Sequence, residues 1–277
     1  MRDEIYRLRV LGAGDYARNK WRHASGRAPV PRANVPFDIG APVSIVLHES
    51  TLKAVRSHWV DHGQEMRELD AFRRLAPGHS TFLDIGAAQG IFSAAFCALT
   101  GGDAYAFEPS PSMFEELTAL SGLNPQFHTT CLKFALGSVA GTQQAESHGA
   151  QLRGVELGDG DSDRMVVETL DDFAGHRALS PDFVKIDVEG MELEVLRGGA
   201  ETFSRLVEAI MLEVHPEMLM RGEAVSDVQA LLERFGFKLF TLDFAPIASL
   251  ASHMAGGRRL APPSTNIVCA KGQPVAS

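Results

Sequence analysis

The sequence is poor in cysteine, and it lacks both a long apolar run and a surplus of basic residues. Its three cysteines, Cys97, Cys131 and Cys269, are scattered without a C-x-x-C pair, so neither a disulfide framework nor a cysteine zinc site is indicated. We expect them to be thiols in the core. No segment reaches the about eighteen apolar residues of a membrane span, and the first ten residues are too charged for a signal peptide. These absences predict a cytoplasmic protein with no membrane partner.

The charge balance is acidic. The chain has 35 Asp and Glu residues against 26 Lys and Arg residues, which gives a formal net charge of −9. Because binding of nucleic acid needs a basic surface that neutralises phosphates, we do not expect a nucleic-acid partner. With 277 residues, 45% of them hydrophobic, the chain can bury one large core, or form one domain with an appendage.

The most informative stretch is TFLDIGAAQG at residues 81–90. A short apolar run ends in Asp84, and the loop that follows contains Gly86 and Gly90. The glycines let a ligand approach the backbone, and the N-terminus of the next helix favours a carboxylate. Asp84 at the loop entrance would repel a pyrophosphate but attract an amino group. The pattern therefore favours S-adenosylmethionine over a dinucleotide.

A second apolar strand ends on Glu108, which could accept hydrogen bonds from the two hydroxyls of a ribose. A nicotinamide cofactor also pairs a glycine turn with a downstream acid, so an oxidoreductase is the first alternative. Residues 7–17, RLRVLGAGDYA, match a dinucleotide fingerprint as well. The polar, proline-broken segment after them cannot supply the helix that a dinucleotide fold needs. We interpret them as part of a loop-rich N-terminal appendage.

Two further strands end in acidic residues. PDFVKIDVEG places Asp187 and Glu189 after one strand, and EAIMLEVHP places Glu213 and His215 on one face at the end of another. His215 has the chemical type of a general base, which Asp187 and Glu189 could orient, although a structural histidine is an equal alternative. Asp187, Glu213 and His215 could instead ligate a hard divalent cation such as Mg²⁺.

Together, six segments resemble the FkbM-type S-adenosylmethionine-dependent methyltransferases: FLDIGAAQG, FEPSP, ALG at residues 135–137, ETLDDF, KIDVEGMELEVLRGG and LEVHP. They follow the family's order over roughly 150 residues, and the resemblance does not include the first sixty or so residues of the chain. The resemblance implies O-methylation of a hydroxyl on a sugar, glycoside or polyketide-type metabolite. It also implies these cofactor contacts: Asp84, Gly86, Ala87, Gln89, Gly90, Glu108, Pro109, Ser110, Asn124 and Leu136. Gln89 stands where the family often has asparagine. Asn124 lies in a partial match to the family's asparagine-bearing segment near adenine, so the resemblance implies that it contacts adenine.

Strands and helices alternate from residue 81 onward. They predict an α/β fold with a Rossmann-like, doubly wound, mostly parallel sheet, the class I methyltransferase fold, that ends in a hairpin. We expect this domain at residues 61–277, with one strand at residues 128–137. Residues 138–165 could form a small antiparallel excursion or a mobile loop. Residues 1–60 would be the appendage, acting as a lid or as the contact of a homo-oligomer. A non-catalytic cofactor-binding module is the second alternative function.

Overall fold

The structure, a computed structural model, describes residues 35–37, 41, 43–47, 64–148, 151–155, 164–216, 222–255 and 264–274. The fingerprint at residues 7–17 lies outside these ranges. The strands are β1 (Val35–Phe37), β2 (Ile45–Leu47), β3 (Thr81–Ile85), β4 (Asp103–Phe107), β5 (Thr129–Leu132), β6 (Ala135–Leu136), β7 (Gly141–His148), β8 (Gln151–Val155), β9 (Arg164–Glu168), β10 (Phe183–Ile186), β11 (Ala209–Val214), β12 (Lys238–Phe240) and β13 (Thr265–Ala270). The helices are α1 (Gln64–Leu75), α2 (Ile91–Thr100), α3 (Pro111–Leu123), α4 (Leu170–His176), α5 (Glu192–Gly198), α6 (Ala200–Arg205), α7 (Val225–Arg234) and α8 (Leu250–Ala255).

A seven-stranded sheet forms the centre of the molecule, in the order β12-β13-β11-β10-β3-β4-β5. Strands β11, β10, β3, β4 and β5 are parallel, whereas β13 runs antiparallel to both of its neighbours. This order confirms the predicted doubly wound, mostly parallel sheet with a terminal hairpin. The strand order changes direction between β3 and β10, and ligands of such sheets bind outside the carboxyl ends of the strands at that point.

Apolar side chains cover both faces of this sheet. Phe82 points to the face covered by α1 and α2, and its neighbour Leu83 points to the opposite face, where α5 and α7 pack. This alternation follows from the period of two along a strand. Both Phe82 and Leu83 are fully buried. The central strands are therefore fixed from both sides, which gives the loops at their carboxyl ends a rigid support.

Part of the N-terminal region packs into the main domain. Strand β2 pairs antiparallel with β1, and Ile45 and Leu47 lie in the same apolar cluster as Phe72 of α1. Helix α1 ends at Leu75, before Pro77. The boundary at residue 60 and the role of the appendage as a lid or contact stay predictions.

The prediction of one strand at residues 128–137 is wrong. Strand β5 pairs with β4 in the large sheet, whereas β6 pairs with β9 in a separate four-stranded sheet. Pairing with β4 stops because β4 ends at Phe107. Phe134, between β5 and β6, then packs against the rings of Phe107 and Phe173. This packing turns the chain out of the large sheet.

The four-stranded sheet has the order β6-β9-β7-β8, with β7 antiparallel to both β8 and β9. The sequence left two alternatives open for residues 138–165, and in the described part of this segment the antiparallel excursion is present. All three cysteines are free thiols, and Cys97 and Cys269 are buried as expected. Within the described ranges, no helix is long and apolar enough to cross a membrane.

Candidate functional site

The glycine turn, residues 84–90, connects β3 to α2 at the carboxyl edge of the sheet. Gly86 and Ala87 donate backbone hydrogen bonds to the carbonyl oxygen of Phe107, at 3.0 and 2.9 Å. Gly86 has a φ of 83° and Gly90 a φ of 80°, in the left-handed region that favours glycine. The turn is therefore tied to the end of β4, and it presents its backbone at the predicted cofactor position.

Asp84 fixes the start of α2. It is almost fully buried, and its Oδ2 accepts hydrogen bonds from the backbone amide of Ser93 at 3.0 Å and from the Ser93 hydroxyl at 2.7 Å. Burial raises the pKa of Asp84, although the nearby ammonium of Lys185 opposes this effect. The structure thus gives Asp84 a role in the architecture of the turn. Its contact with the amino group of the cofactor stays a prediction.

Glu108 connects the glycine turn to the turn that follows β4. Its two oxygens accept backbone hydrogen bonds from Ala88 at 2.9 Å and from Ser110 at 2.8 Å. Burial raises the pKa of Glu108 to about 7, although these two hydrogen bonds act to lower it. A carboxylate offers about four acceptor positions, so acceptor capacity remains for a ribose.

The other predicted cofactor residues divide into two groups. Gln89 lies in the glycine turn and donates a hydrogen bond to Glu116, while Pro109 and Ser110 form the turn before α3. Ala87 packs against Leu117 in a small apolar cluster. Leu136 is buried in the apolar cluster on the face of the large sheet that α5 and α7 cover. The structure therefore gathers most of these residues at one edge.

Asn124 is engaged by the N-terminal hairpin. Its Oδ1 accepts from the amide of Val46 at 2.8 Å, and its Nδ2 donates to the carbonyl oxygens of Val46 and Leu120 at 2.9 and 2.8 Å. Both Nδ2 hydrogens are thus used within the protein. The predicted contact between Asn124 and adenine is not favoured by this bonding, which indicates a structural role.

A second group of side chains, which we call the His215 cluster, comprises Asp187, Glu189, Glu213 and His215. It lies at the carboxyl ends of β10 and β11, with Glu213 inside β11. Nε2 of His215 is 3.6 Å from Glu213 Oε1, 3.7 Å from Glu189 Oε2 and 3.9 Å from Asp187 Oδ1. One ligand atom each from Asp187, Glu213 and His215 lie within 4.8 Å of one another. The structure brings these four residues together, and their catalytic and metal-binding roles stay predictions.

Lys185 is a buried cation that sequence reasoning missed. Only 4% of the residue is exposed, and its Nζ lies 2.8 Å from Asp187 Oδ2. Burial alone would lower the pKa of Lys185, but the carboxylates of Asp187, Asp84 and Glu68 raise it. Lys185 in turn holds the pKa of Asp187 below its ordinary value despite burial. The ammonium of Lys185 therefore interacts both with Asp84 of the glycine turn and with Asp187 of the His215 cluster.

Glu192, at the start of α5, was also missed. Its Oε1 lies 2.7 Å from Nδ1 of His215 and also accepts from the amide of Gly190 at 3.0 Å. Burial alone would lower the pKa of His215, but the bond with Glu192 and the charges of Glu192, Glu213 and Asp187 raise it to about 9. At neutral pH, His215 is therefore an imidazolium unless another cation replaces its proton.

The comparisons with known proteins agree with this geometry. Residues 84–239, more than half of the chain, match the family described as the Methyltransferase FkbM domain. A hexuronic acid methyltransferase, AglP of Haloferax volcanii, is 29% identical over 182 residues, which are 63% of this chain and 73% of that protein.

Solved structures of methyltransferases are also similar to this chain. Methyltransferase FkbM from Methylobacillus flagellatus has a TM-score of 0.45 at 16% identity, over 96% of this chain and 62% of its own. A precorrin-6y C5,15-methyltransferase from Geobacter metallireducens has a TM-score of 0.41 at 17% identity, over 75% of this chain and 88% of its own. The strand order of the large sheet defines the fold independently of these similarities.

Proposed function

Because the chain belongs to the FkbM family of S-adenosylmethionine-dependent methyltransferases, we propose that it transfers a methyl group to a hydroxyl of a sugar-containing acceptor. The similar protein AglP is named as a hexuronic acid methyltransferase, and a hexuronic acid is a sugar acid, which supports a sugar as the acceptor class. Glycosides and sugar-bearing polyketides belong to the same proposal. A cytoplasmic location and a homo-oligomer stay predictions from the sequence.

One observation carries this proposal: the glycine turn and the His215 cluster lie side by side. The backbone amide of Asp187 donates to the carbonyl oxygen of Ile85 at 2.9 Å, directly before Gly86. A cofactor seated on the turn would therefore place its methyl group near the side chains at the carboxyl ends of β10 and β11. Alignment of an acceptor with that methyl group is the main requirement of methyl transfer.

The reaction requires a destination for the hydroxyl proton. The acceptor oxygen attacks the methyl carbon, the carbon–sulfur bond breaks, and S-adenosylhomocysteine leaves. His215 can accept the hydroxyl proton at Nε2 only after losing its own. Glu213 and Glu189, whose oxygens lie 3.6 and 3.7 Å from Nε2, are the other groups that would accept it, directly or through water. Asp187, held by Lys185, would orient the acceptor.

A divalent cation is the second part of the proposal. Asp187, Glu213 and His215 would hold it, because two carboxylate oxygens and an imidazole nitrogen converge at ligand-like spacing. Such an ion would lower the pKa of a bound hydroxyl. The residues present therefore fit a cation, and the charge of His215 would be replaced by that of the ion.

Mass spectrometry after incubation with S-adenosylmethionine tests the proposal. The acceptor panel contains neutral hexosides, hexuronic acids and glycosylated polyketides, and we expect an increment of one methyl group on a sugar. Because a hexuronic acid offers both hydroxyls and a carboxylate, alkaline treatment separates a stable methyl ether from a labile ester. Tight cofactor binding without transfer to any acceptor would favour the non-catalytic module. The nicotinamide alternative is set aside because the family match includes the glycine turn.

A further inference from the structure

His215 is held from one side by a fully buried carboxylate. Glu192 has no exposed surface, and its Oε1 takes both the amide of Gly190 and Nδ1 of His215. An ionised carboxylate is an acceptor only, so the hydrogen of this bond belongs to Nδ1. The bond therefore fixes the ring and leaves Nε2 as the nitrogen that faces the cluster.

Nε2 faces three carboxylates without a hydrogen bond to any of them. The three distances, to Glu213, Glu189 and Asp187, run from 3.6 to 3.9 Å, which is beyond hydrogen-bond length. Ligand atoms at about 2.1 Å from a common ion lie roughly 3–4 Å from one another. Nε2 is thus too far from the three carboxylates for a direct hydrogen bond, whereas the ligand atoms of Asp187, Glu213 and His215, all within 4.8 Å of one another, have the spacing of ligands around a shared ion.

A second observation points to a metal ligand. Hydrogen bonding between the second nitrogen of an imidazole and a carboxylate is typical of metal-binding histidines, because it fixes the tautomer and makes the ligating nitrogen more basic. Within the described residues, Oε2 of Glu192 is the buried side-chain oxygen without a partner. This oxygen lies inside the protein on the residue that holds Nδ1 of His215, where it is available to an ion bound at the ring or to a group around that ion.

We infer that Glu192 is a positioning residue that makes Nε2 of His215 a metal ligand, so that the cluster prefers Mn²⁺ to Mg²⁺. Carboxylate oxygens suit both ions, but an imidazole ligand favours a transition metal over Mg²⁺, which is bound mainly by oxygen. This inference deepens the cation part of the proposed function and rests on it. It differs from the sequence prediction, which is Mg²⁺ on Asp187, Glu213 and His215.

Calorimetry on the metal-stripped full chain tests the preference, with MnCl₂ and MgCl₂ as the titrants and neither cofactor nor acceptor present. We expect Mn²⁺ to bind at least about tenfold more tightly than Mg²⁺. In protein labelled with ¹⁵N-histidine, electron spin-echo spectroscopy of bound Mn²⁺ should show coupling to one histidine nitrogen. His215→Gln should abolish the coupling. Equal affinities, or the absence of nitrogen coupling, would overturn the inference.

Variants of Glu192 test its positioning role. Loss of a partner to a metal ligand commonly weakens binding about 10- to 100-fold. Glu192→Met should therefore weaken Mn²⁺ binding about 100-fold, and Glu192→Gln, which can still accept from Nδ1, about tenfold with the coupling retained. Glu201→Gln is the matched control, because Glu201 is exposed and bonds to Arg205 on α6. Circular dichroism checks folding, and Glu192→Gln decides the matter if Glu192→Met does not fold.

The binding experiment separates this inference from the proposed function. Mn²⁺ bound through His215 in a protein that methylates no acceptor would support the inference and contradict the function. Methyl transfer that is indifferent to chelator, in a protein that binds neither ion, would contradict the inference and leave the methyltransferase assignment standing. Wild-type Mn²⁺ affinity in both Glu192 variants would also contradict it.

Discussion

A Cβ atom on Gly86 would lie 1.8 Å from the backbone carbonyl oxygen of Asp187. The two residues belong to neighbouring strand ends, β3 and β10, so the cofactor turn and the His215 cluster meet backbone to backbone. Only a residue without a side chain permits this approach, and the φ of 83° at Gly86 requires the same. The contact fixes how far the proposed methyl donor lies from the proposed acceptor site.

Gly86→Ala should therefore destabilise the protein severely. The left-handed backbone costs about 1–2 kcal/mol with an alanine, and displacement of the Asp187 carbonyl adds about 1–3 kcal/mol. Gly122→Ala is the control, since a Cβ there meets nothing within 4 Å and the residue lies in α3. We expect that control to be neutral or stabilising by up to about 1 kcal/mol. Urea unfolding measures both, and equal stabilities would contradict the close contact.

Glu108→Ala should weaken binding of S-adenosylmethionine about ten- to hundredfold, since hydrogen bonds worth about 1.5–3 kcal/mol to the ribose would be lost. Isothermal calorimetry measures this effect. Glu108→Gln, which keeps one acceptor oxygen, should lose less. Glu115→Ala on the exposed side of α3 is the control and should bind as the wild type does. Unchanged affinity in Glu108→Ala would remove Glu108 from the cofactor site.

The pKa values of Glu108 and His215 predict two pH windows of stability. Burial raises the pKa of Glu108 from 4.5 to about 7, so the native state holds a proton there that the unfolded state has lost. Stability from this group is complete below pH 4.5 and is lost as the pH rises through 7. Burial alone would lower the pKa of His215, but its carboxylate neighbours raise it from 6.5 to about 9. Stability from the protonated ring is therefore complete below pH 6.5 and is lost as the pH rises through 9. Each loss amounts to about 3 kcal/mol.

Urea unfolding at several pH values, with chelator present, tests both windows. Glu108→Gln should flatten the decline between pH 5 and 7, and His215→Gln the decline between pH 7 and 9. Each variant serves as the control for the other window. If either one leaves its own slope as steep as that of the wild type, the corresponding group does not titrate as described.

Asn124→Ala separates a structural role from an adenine contact. It removes three hydrogen bonds to Val46 and Leu120, so we expect a loss of about 2–4 kcal/mol of stability. Affinity for S-adenosylmethionine should change by no more than about twofold. A variant that keeps its stability but binds the cofactor poorly would restore the adenine contact.

Sequence reasoning succeeded where local pattern and strand direction determine position. The glycine turn is a local feature, and the placement of Asp187 beside His215 follows from the parallel pairing of β10 with β11. Lys185 and Glu192 were missed because a charged residue within a strand or a short helix is expected to face solvent. Only tertiary structure shows that both are buried.

The role of Asn124 depends on a contact between residues that are far apart in the sequence. Its partner Val46 is 78 residues away, in a hairpin whose docking no local pattern indicates. The break between β5 and β6 is similar, because it depends on the ring of Phe134 meeting Phe107 and Phe173. Such features follow from packing between distant segments, and a reading of periodicity cannot provide them.

The central claim is that the His215 cluster assists transfer of the methyl group, and steady-state kinetics of His215→Ala test it most directly. With an acceptor identified by mass spectrometry, we expect kcat to fall by about 10²–10⁴ while calorimetry shows nearly unchanged affinity for S-adenosylmethionine. Chelator should abolish the wild-type activity and added divalent cation restore it. Near-native turnover in His215→Ala, together with indifference to chelator, would contradict the account and leave catalysis to the alignment of the two substrates alone.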